Sequence, residues 1–142
     1  MKALRHAGIA VSDMEKSARF YRDLLGLKVV KDFREEGEYI DKISALKGVK
    51  LWMIKLVADD GGMVELLKYE SHPGLPRNNP RLIDIGGTHV AFSVEDVEKE
   101  YKKLKAAGVE FNSQPLVSPD GYAKVAFCKD PDGYYIELVQ IL

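Results

Sequence analysis

The feature that most constrains this chain is an internal repeat. The segment HAGIAVSDMEK at residues 6–16 matches HVAFSVEDVEK at residues 89–99, with His, Val, Asp, Glu and Lys at one offset (89 − 6 = 83). Downstream, DGGMVEL at residues 60–66 matches DGYYIEL at residues 132–138, so the first copy is longer in its middle. Repeats of this kind indicate a structure assembled from like units. A pseudo-twofold arrangement of two units would place equivalent positions face to face.

Each copy predicts a strand, a helix and three further strands. In the first copy the strand Ala3–Val11 precedes Ser12, and Glu15 follows three residues later, which is the pattern of a capping box. The next apolar residues recur at helical spacing, at Met14, Ala18, Tyr21 and Leu25. The remaining predicted strands of the two copies are Leu27–Asp32, Leu51–Val57, Met63–Lys68, Thr88–Val94, Val109–Phe111, Tyr122–Lys129 and Tyr134–Ile141, with a second helix ending at Ala107.

Composition shifts along the chain predict its organisation. A stretch rich in proline, glycine and asparagine predicts a linker at residues 69–87, between a first module at 1–68 and a second at 88–142. The extra material of the first copy begins with a charged run at 34–38, which predicts a loop. Residues 39–43 predict a short helix or a flap, and Tyr39, Ile40 and Ile43 are either a lid or plain surface residues.

The overall composition excludes several classes of function. The chain has 142 residues, of which 46% are hydrophobic, and a net charge of −1. This balance gives no electrostatic reason to expect nucleic acid or a membrane surface as the partner. The single cysteine, Cys128, allows no intramolecular disulfide and is interpreted as a packing residue. With no long apolar run and no signal-peptide pattern at the start, we expect a cytoplasmic protein.

Two histidines and two glutamates at matched places predict a metal site. Because strand side chains alternate between faces, each histidine shares a face with small residues: Gly8 and Ala10 beside His6, and Ala91 and Ser93 beside His89. Glu65 and Glu137 each lie within an apolar strand, where a buried carboxylate needs a partner or a metal. Any one of the four, taken alone, is more often an ordinary structural or solvent-facing residue. Their matched occurrence favours a ligand set for Zn, Ni, Co, Mn or Fe.

Four motifs carry a resemblance to a known superfamily: HAGIAVSD at 6–13, FYRDLLGL at 20–27, HVAFSVED at 89–96 and DPDGYYIEL at 130–138. On these motifs the chain resembles the vicinal oxygen chelate superfamily, which includes glyoxalase I, methylmalonyl-CoA epimerase, extradiol dioxygenases and bleomycin- and fosfomycin-resistance proteins. The resemblance covers nearly the whole chain. It implies an α+β fold of two βαβββ modules forming a cupped, open mixed β-barrel around a metal. The implied ligands are His6, Glu65, His89 and Glu137.

The resemblance also implies an activity and its alternatives. It favours a lyase or isomerase that depends on a divalent metal and removes a proton next to a carbonyl, with Glu65 or Glu137 as the base and an enediolate stabilised by the metal. The partner would be a small molecule with two neighbouring oxygens, and the protein a homodimer whose cavity is built within one chain or between two. One alternative is a binding protein that sequesters an antibiotic without catalysis. Another is a metal-dependent dioxygenase or transferase.

Two positions of the sequence bear on the identity of the substrate. Glyoxalase I enzymes typically carry an arginine and an asparagine for glutathione at the positions of Ala10 and Tyr69, so we expect weak or no turnover of the methylglyoxal–glutathione hemithioacetal. An α-acidic carboxylate or thioester fits better. Lys55 is a candidate anchor for a substrate carboxylate, although a strand lysine more often extends to the solvent. Arg77 and Arg81 are candidate phosphate contacts or plain linker residues, and His72 is interpreted as an exposed linker residue.

Overall fold

A computed structural model of the chain describes residues 2–76 and 78–142. They fall into two compact units, Met1–Pro76 and Arg77–Leu142, and the boundary lies inside the predicted linker. Each unit contains one four-stranded mixed sheet. The α+β class and the βαβββ order of both copies are thereby confirmed. Among the described helices, none is long and apolar enough to cross a membrane.

The first unit contains four strands and two α-helices, and α1 continues into a π-helical segment at Arg19–Leu24. The elements are β1 (Ala7–Ala10), α1 (Met14–Ala18), β2 (Lys28–Glu36), α2 (Glu38–Ser44), β3 (Lys50–Val57) and β4 (Met63–Tyr69). The strand order is β1-β4-β3-β2, and β1 is parallel to β4 while the other neighbours are antiparallel. The long connection from β1 to β4, which includes α1, β2 and β3, allows the parallel pairing, whereas the short turn after β3 requires an antiparallel one.

Helix α1 packs on one face of this sheet. Of the four positions predicted from helical periodicity, Met14, Ala18 and Tyr21 are buried and Leu25 is half-buried. The predicted cap is wrong by one residue: the N-cap is Asp13, whose carboxylate accepts a hydrogen bond from the Lys16 backbone N–H at 3.1 Å. An aspartate serves this role as well as a serine does, so the sequence pattern alone left the boundary open to error.

The insertion of the first unit differs in part from its prediction. The charged segment predicted as a loop from residue 34 instead continues β2 to Glu36, because it pairs in register with β3 as far as Lys50. The short helix is confirmed as α2. Its Ile40 is only 4% exposed and packs against buried Val49 and Leu51.

The second unit repeats the same plan. Its elements are β5 (His89–Ser93), α3 (Val97–Ala106), β6 (Leu116–Val117), β7 (Ala123–Lys129) and β8 (Tyr135–Ile141), in the sheet order β5-β8-β7-β6. The strand predicted at Val109–Phe111 is wrong: Phe111 forms only an isolated bridge to Cys128, and the outer strand is β6. Apolar periodicity cannot show which short segment finds the free edge of β7.

Candidate metal centre

A row of four residues crosses the first sheet at one level. Gly8 on β1 pairs with Glu65 on β4, Glu65 pairs with Lys55 on β3, and Lys55 pairs with Lys31 on β2. Residues paired in this way lie on the same face of a sheet. Ile54 and Leu66, the neighbours of Lys55 and Glu65 along β3 and β4, point to the opposite face, where they are buried.

The carboxylate of Glu65 is the centre of a three-residue contact. Its Oε2 lies 3.4 Å from His6 Nε2, and its Oε1 lies 2.6 Å from Lys55 Nζ. Glu65 is only 5% exposed, whereas the side chains of His6 and Lys55 are 37% and 27% exposed. A buried carboxylate is costly unless paired, and here the lysine ammonium stabilises it.

The second sheet has the corresponding row without the lysine. Ala91 on β5 pairs with Glu137 on β8, and Glu137 pairs with Phe127 on β7. The His89 Nε2 lies 3.1 Å from Glu137 Oε2. The Phe127 ring packs edge-on against the His89 imidazole, with the centroids 5.4 Å apart. The structure therefore brings each predicted histidine into contact with its predicted glutamate, once in each unit.

The donor atoms in each pair have the spacing that a metal requires. Two ligand atoms that bind a transition metal at about 2.1 Å and at a right angle lie roughly 3 Å apart, close to the separations of 3.4 Å and 3.1 Å seen here. Imidazole nitrogen and carboxylate oxygen also suit such ions chemically. Within the described residues, no three His, Cys, Asp or Glu side chains form one metal-binding group. Each unit thus contributes a fitting pair, and the four-ligand centre stays a prediction.

Helix α2 builds an apolar wall on the same face as the glutamate. Ile40 lies against Val49 and Leu51, and three partly buried residues complete the cluster: Met53, Leu67 and Tyr69. Tyr39 and Ile43, predicted together with Ile40 to be lid or surface residues, are 65% and 62% exposed. The insertion therefore forms a packed helix over the sheet, with one anchored residue and two solvent-facing ones.

Several other candidate residues lie away from this centre. Arg81 donates hydrogen bonds to the Asp84 carboxylate from its backbone N–H and from its guanidinium, with 3.0 Å between Arg81 Nη2 and Asp84 Oδ1. Arg77 lies outside the described residues. His72 Nδ1 is 2.8 Å from Ser71 Oγ. A depression beside His89, of about 290 Å³ including open solvent, is lined by the segment before β5 and by Gly133 and Tyr135.

Cys128 fits the packing role predicted from sequence. Its side chain has no exposed surface. Burial, and secondarily the neighbouring Asp130 carboxylate, raises the pKa of its thiol to about 12. A thiol that stays protonated at neutral pH is a poor nucleophile.

Sequence reasoning did not single out Lys31 and Phe33. The Lys31 Nζ lies 4.3 Å from the centroid of the Phe33 ring, and Lys55 Nζ lies 6.0 Å from the same centroid. A shift in the pairing of β2 with β3 between Val29 and Lys31 sets which β2 side chains share the face of Glu65. Nothing in the local sequence signals that bulge.

Comparison with known proteins gives matches over nearly the full chain. A model of the Glyoxalase/Bleomycin resistance protein/Dioxygenase superfamily matches residues 3–138. A Synechocystis protein named as a probable lactoylglutathione lyase is 31% identical over 140 residues, covering 96% of this chain and 94% of that protein. A Vibrio cholerae protein of the same name is 28% identical over 137 residues, covering 95% and 88%. A solved structure of a glyoxalase family protein from Bacillus cereus has a TM-score of 0.91 at 20% identity, covering 100% and 95%.

Proposed function

The chain belongs to the Glyoxalase/Bleomycin resistance protein/Dioxygenase superfamily, and from this membership we propose that it is a divalent-metal-dependent lyase or isomerase that removes a proton next to a carbonyl group. The observation that carries the proposal is the His–Glu contact repeated in both units, 3.4 Å in one and 3.1 Å in the other. A repeated contact between the same two residue types, at positions that match between the two copies of the repeat, is what a shared ligand would require. Its substrate would be a small molecule with two neighbouring oxygens.

The four residues His6, Glu65, His89 and Glu137 would hold the ion. When bound, a divalent metal supplies a Lewis acid that stabilises negative charge developing on a carbonyl oxygen. The imidazoles must be neutral to serve as ligands, and the carboxylates ionised. We further propose that the protein is a homodimer and that the four ligands come from one chain or from two. Sedimentation of the purified protein tests the dimer.

The two glutamates have different surroundings, which bears on their roles. Glu65 is held from two sides, by Lys55 Nζ at 2.6 Å and by His6. The side chain of Glu137 is 20% exposed against 7% for Glu65, and its neighbour across the ladder is the ring of Phe127 rather than a cation. We assign proton removal to Glu137, because a ligand glutamate that also serves as general base must be able to detach and reach the substrate carbon, and Glu137 is the less restrained of the two. Glu65 then stays in place as a fixed ligand.

The relatives named lactoylglutathione lyase support a reaction of the glyoxalase I type. Two residues of this chain do not favour glutathione as the cosubstrate. Glyoxalase I enzymes carry polar glutathione contacts at two positions that are Ala10 and Tyr69 in this chain. Ala10 offers only a methyl group on β1, and Tyr69 packs against the apolar cluster around Ile40. We therefore propose weak turnover of the methylglyoxal–glutathione hemithioacetal and better turnover of an α-acidic carboxylate or thioester.

The test combines metal analysis with a substrate panel. Protein purified without chelator is analysed for Ni, Co, Zn, Mn and Fe, and each loaded form is assayed with hemithioacetals and acyl-CoA thioesters in deuterated solvent. Deuterium should enter the substrate at the α-carbon, and E137Q should abolish that exchange. Turnover of the glutathione adduct at about 1–10³ per second, as in ordinary enzymes, would contradict the substrate proposal. Tight binding of a small molecule with no exchange in any metal form would favour the sequestering alternative.

A further inference from the structure

We propose that Lys31 and Lys55, whose ammonium groups both lie near the Phe33 ring, form a subsite for an anionic substituent of the ligand, a carboxylate or a phosphate. The identification of this ligand as the substrate rests on the proposed function. The subsite itself depends only on the first unit. It lies in the same row as Glu65: Lys55 is on the neighbouring strand β3, and Lys31 is one strand further out, on β2.

The two ammonium groups converge on one small area of the sheet. Lys31 and Lys55 are direct partners across the β2–β3 ladder, so their side chains leave the same face. Their Nζ atoms lie 4.3 Å and 6.0 Å from the centroid of the Phe33 ring. The area therefore combines an aromatic ring with two ammonium groups, and a carboxylate or a phosphate bound there could accept hydrogen bonds from both.

The charge in this area is not balanced. Like charges directly opposite one another in a ladder are destabilising. Glu65 compensates Lys55 at 2.6 Å, but within the described part of the chain no carboxylate lies within 4.0 Å of Lys31 Nζ. Glu35, on the same face of β2, is four residues away, which is roughly 13 Å along a strand. An anion placed between the lysines would relieve the repulsion and bind to donors that are already oriented.

The second unit lacks this arrangement. Phe127 occupies the position of Lys55, and β7 pairs beyond it with the two-residue strand β6, which has no residue matched to Lys31. Among the described residues the lysine pair therefore belongs to the first unit, where it would bind the charged end of a ligand beside Glu65.

Binding of simple anions tests the subsite without any turnover. Isothermal titration measures the Kd of malonate, inorganic phosphate and neutral malonamide for chelator-treated protein, and NMR locates the shifts. We expect malonate or phosphate to bind with shifts at Lys31 and Phe33, and malonamide not to bind. The variant K31M should weaken anion binding about tenfold or more, because one charge-assisted contact is lost. The control K28M removes a lysine of the same strand whose pair with Asp59 is exposed, and it should bind as the parent does.

The outcomes separate the subsite from the catalytic proposal. Preference for malonate identifies a carboxylate-bearing ligand, and preference for phosphate identifies a phosphate-bearing one. If neither anion binds, or if K31M binds them as tightly as the parent, the subsite is refuted. K31M is the decisive variant because Lys31 is exposed and its substitution leaves Glu65 paired. Anion binding lost in K31M, together with absence of metal and of α-proton exchange, would leave the subsite standing and overturn the proposed reaction.

Discussion

Lys55 and Phe127 occupy the same place in the two units, and each lies directly across the ladder from a glutamate. In the first unit the glutamate meets an ammonium group at 2.6 Å, and in the second the neighbouring ring packs on the histidine. The two units therefore differ chemically at this matched position. The first fixes its carboxylate with a positive charge, while the second leaves its carboxylate more exposed.

Substitution of the proposed ligands should lower metal occupancy. H6A, E65Q, H89A and E137Q each remove one donor, so each should bind less metal than the parent after identical loading and dialysis, as measured by inductively coupled plasma mass spectrometry. H72A is the matched control, since the third histidine contacts Ser71 and neither glutamate. Equal metal content in all five variants and the parent would remove the basis for the four-ligand centre.

Removal of the Lys55 ammonium should destabilise the first unit. In K55M the carboxylate of Glu65, which is 5% exposed, loses its closest charged partner. We expect the free energy of unfolding in urea to fall by about 1–3 kcal/mol. The double variant K55M/E65Q should recover part of this loss, because it no longer buries an unpaired charge. Wild-type stability of K55M would show that solvent already compensates Glu65.

The apolar wall depends on Ile40. Truncation in I40A leaves a cavity against Val49 and Leu51, and should cost about 2–5 kcal/mol of unfolding free energy. I43A, on the same helix but 62% exposed, should change it by less than about 0.5 kcal/mol. Similar small effects in both variants would mean that α2 detaches readily and acts as a lid.

Cys128 should be unreactive in the folded protein. Because burial raises the pKa of its thiol to about 12, almost no thiolate exists at pH 8, and Ellman's reagent should react only after unfolding in guanidinium chloride. A folded-state pKa above the unfolded value, about 8.5, also means that this group's contribution to stability is complete below pH 8.5 and declines as the pH rises toward 12. C128A should therefore lose less stability than the parent between pH 8 and pH 10. Rapid labelling of the native protein would contradict this account.

Ser17 should be dispensable for the core beneath α1. Its side chain is fully buried, and among the described residues its Oγ is the buried side-chain oxygen without a hydrogen-bond partner. S17A removes that unsatisfied group and adds helix propensity, so we expect the free energy of unfolding to rise by about 1 kcal/mol. Thermal unfolding followed by circular dichroism measures the change, and a lower melting temperature would indicate a hidden partner for the hydroxyl.

Much of the architecture follows from the sequence alone. The repeat at His6 and His89 predicts the two βαβββ units. The spacing of apolar residues along each strand and helix then shows which face is buried, because that spacing can be seen in a short stretch of sequence. The same alternation places each histidine on the face of small residues, where the structure has it contacting Glu65 or Glu137. These features need no knowledge of which strands are neighbours.

Only the tertiary structure shows which residues surround the His6–Glu65 pair. Register between strands is a long-range property, set by a bulge after Val29 and by the strand order, so no local pattern shows that Lys31, Lys55 and Glu65 form one row. The free edge of β7 is taken by Leu116–Val117 rather than by Val109–Phe111 for the same reason. Periodicity determines which way a side chain faces, whereas packing of distant segments determines what it meets there.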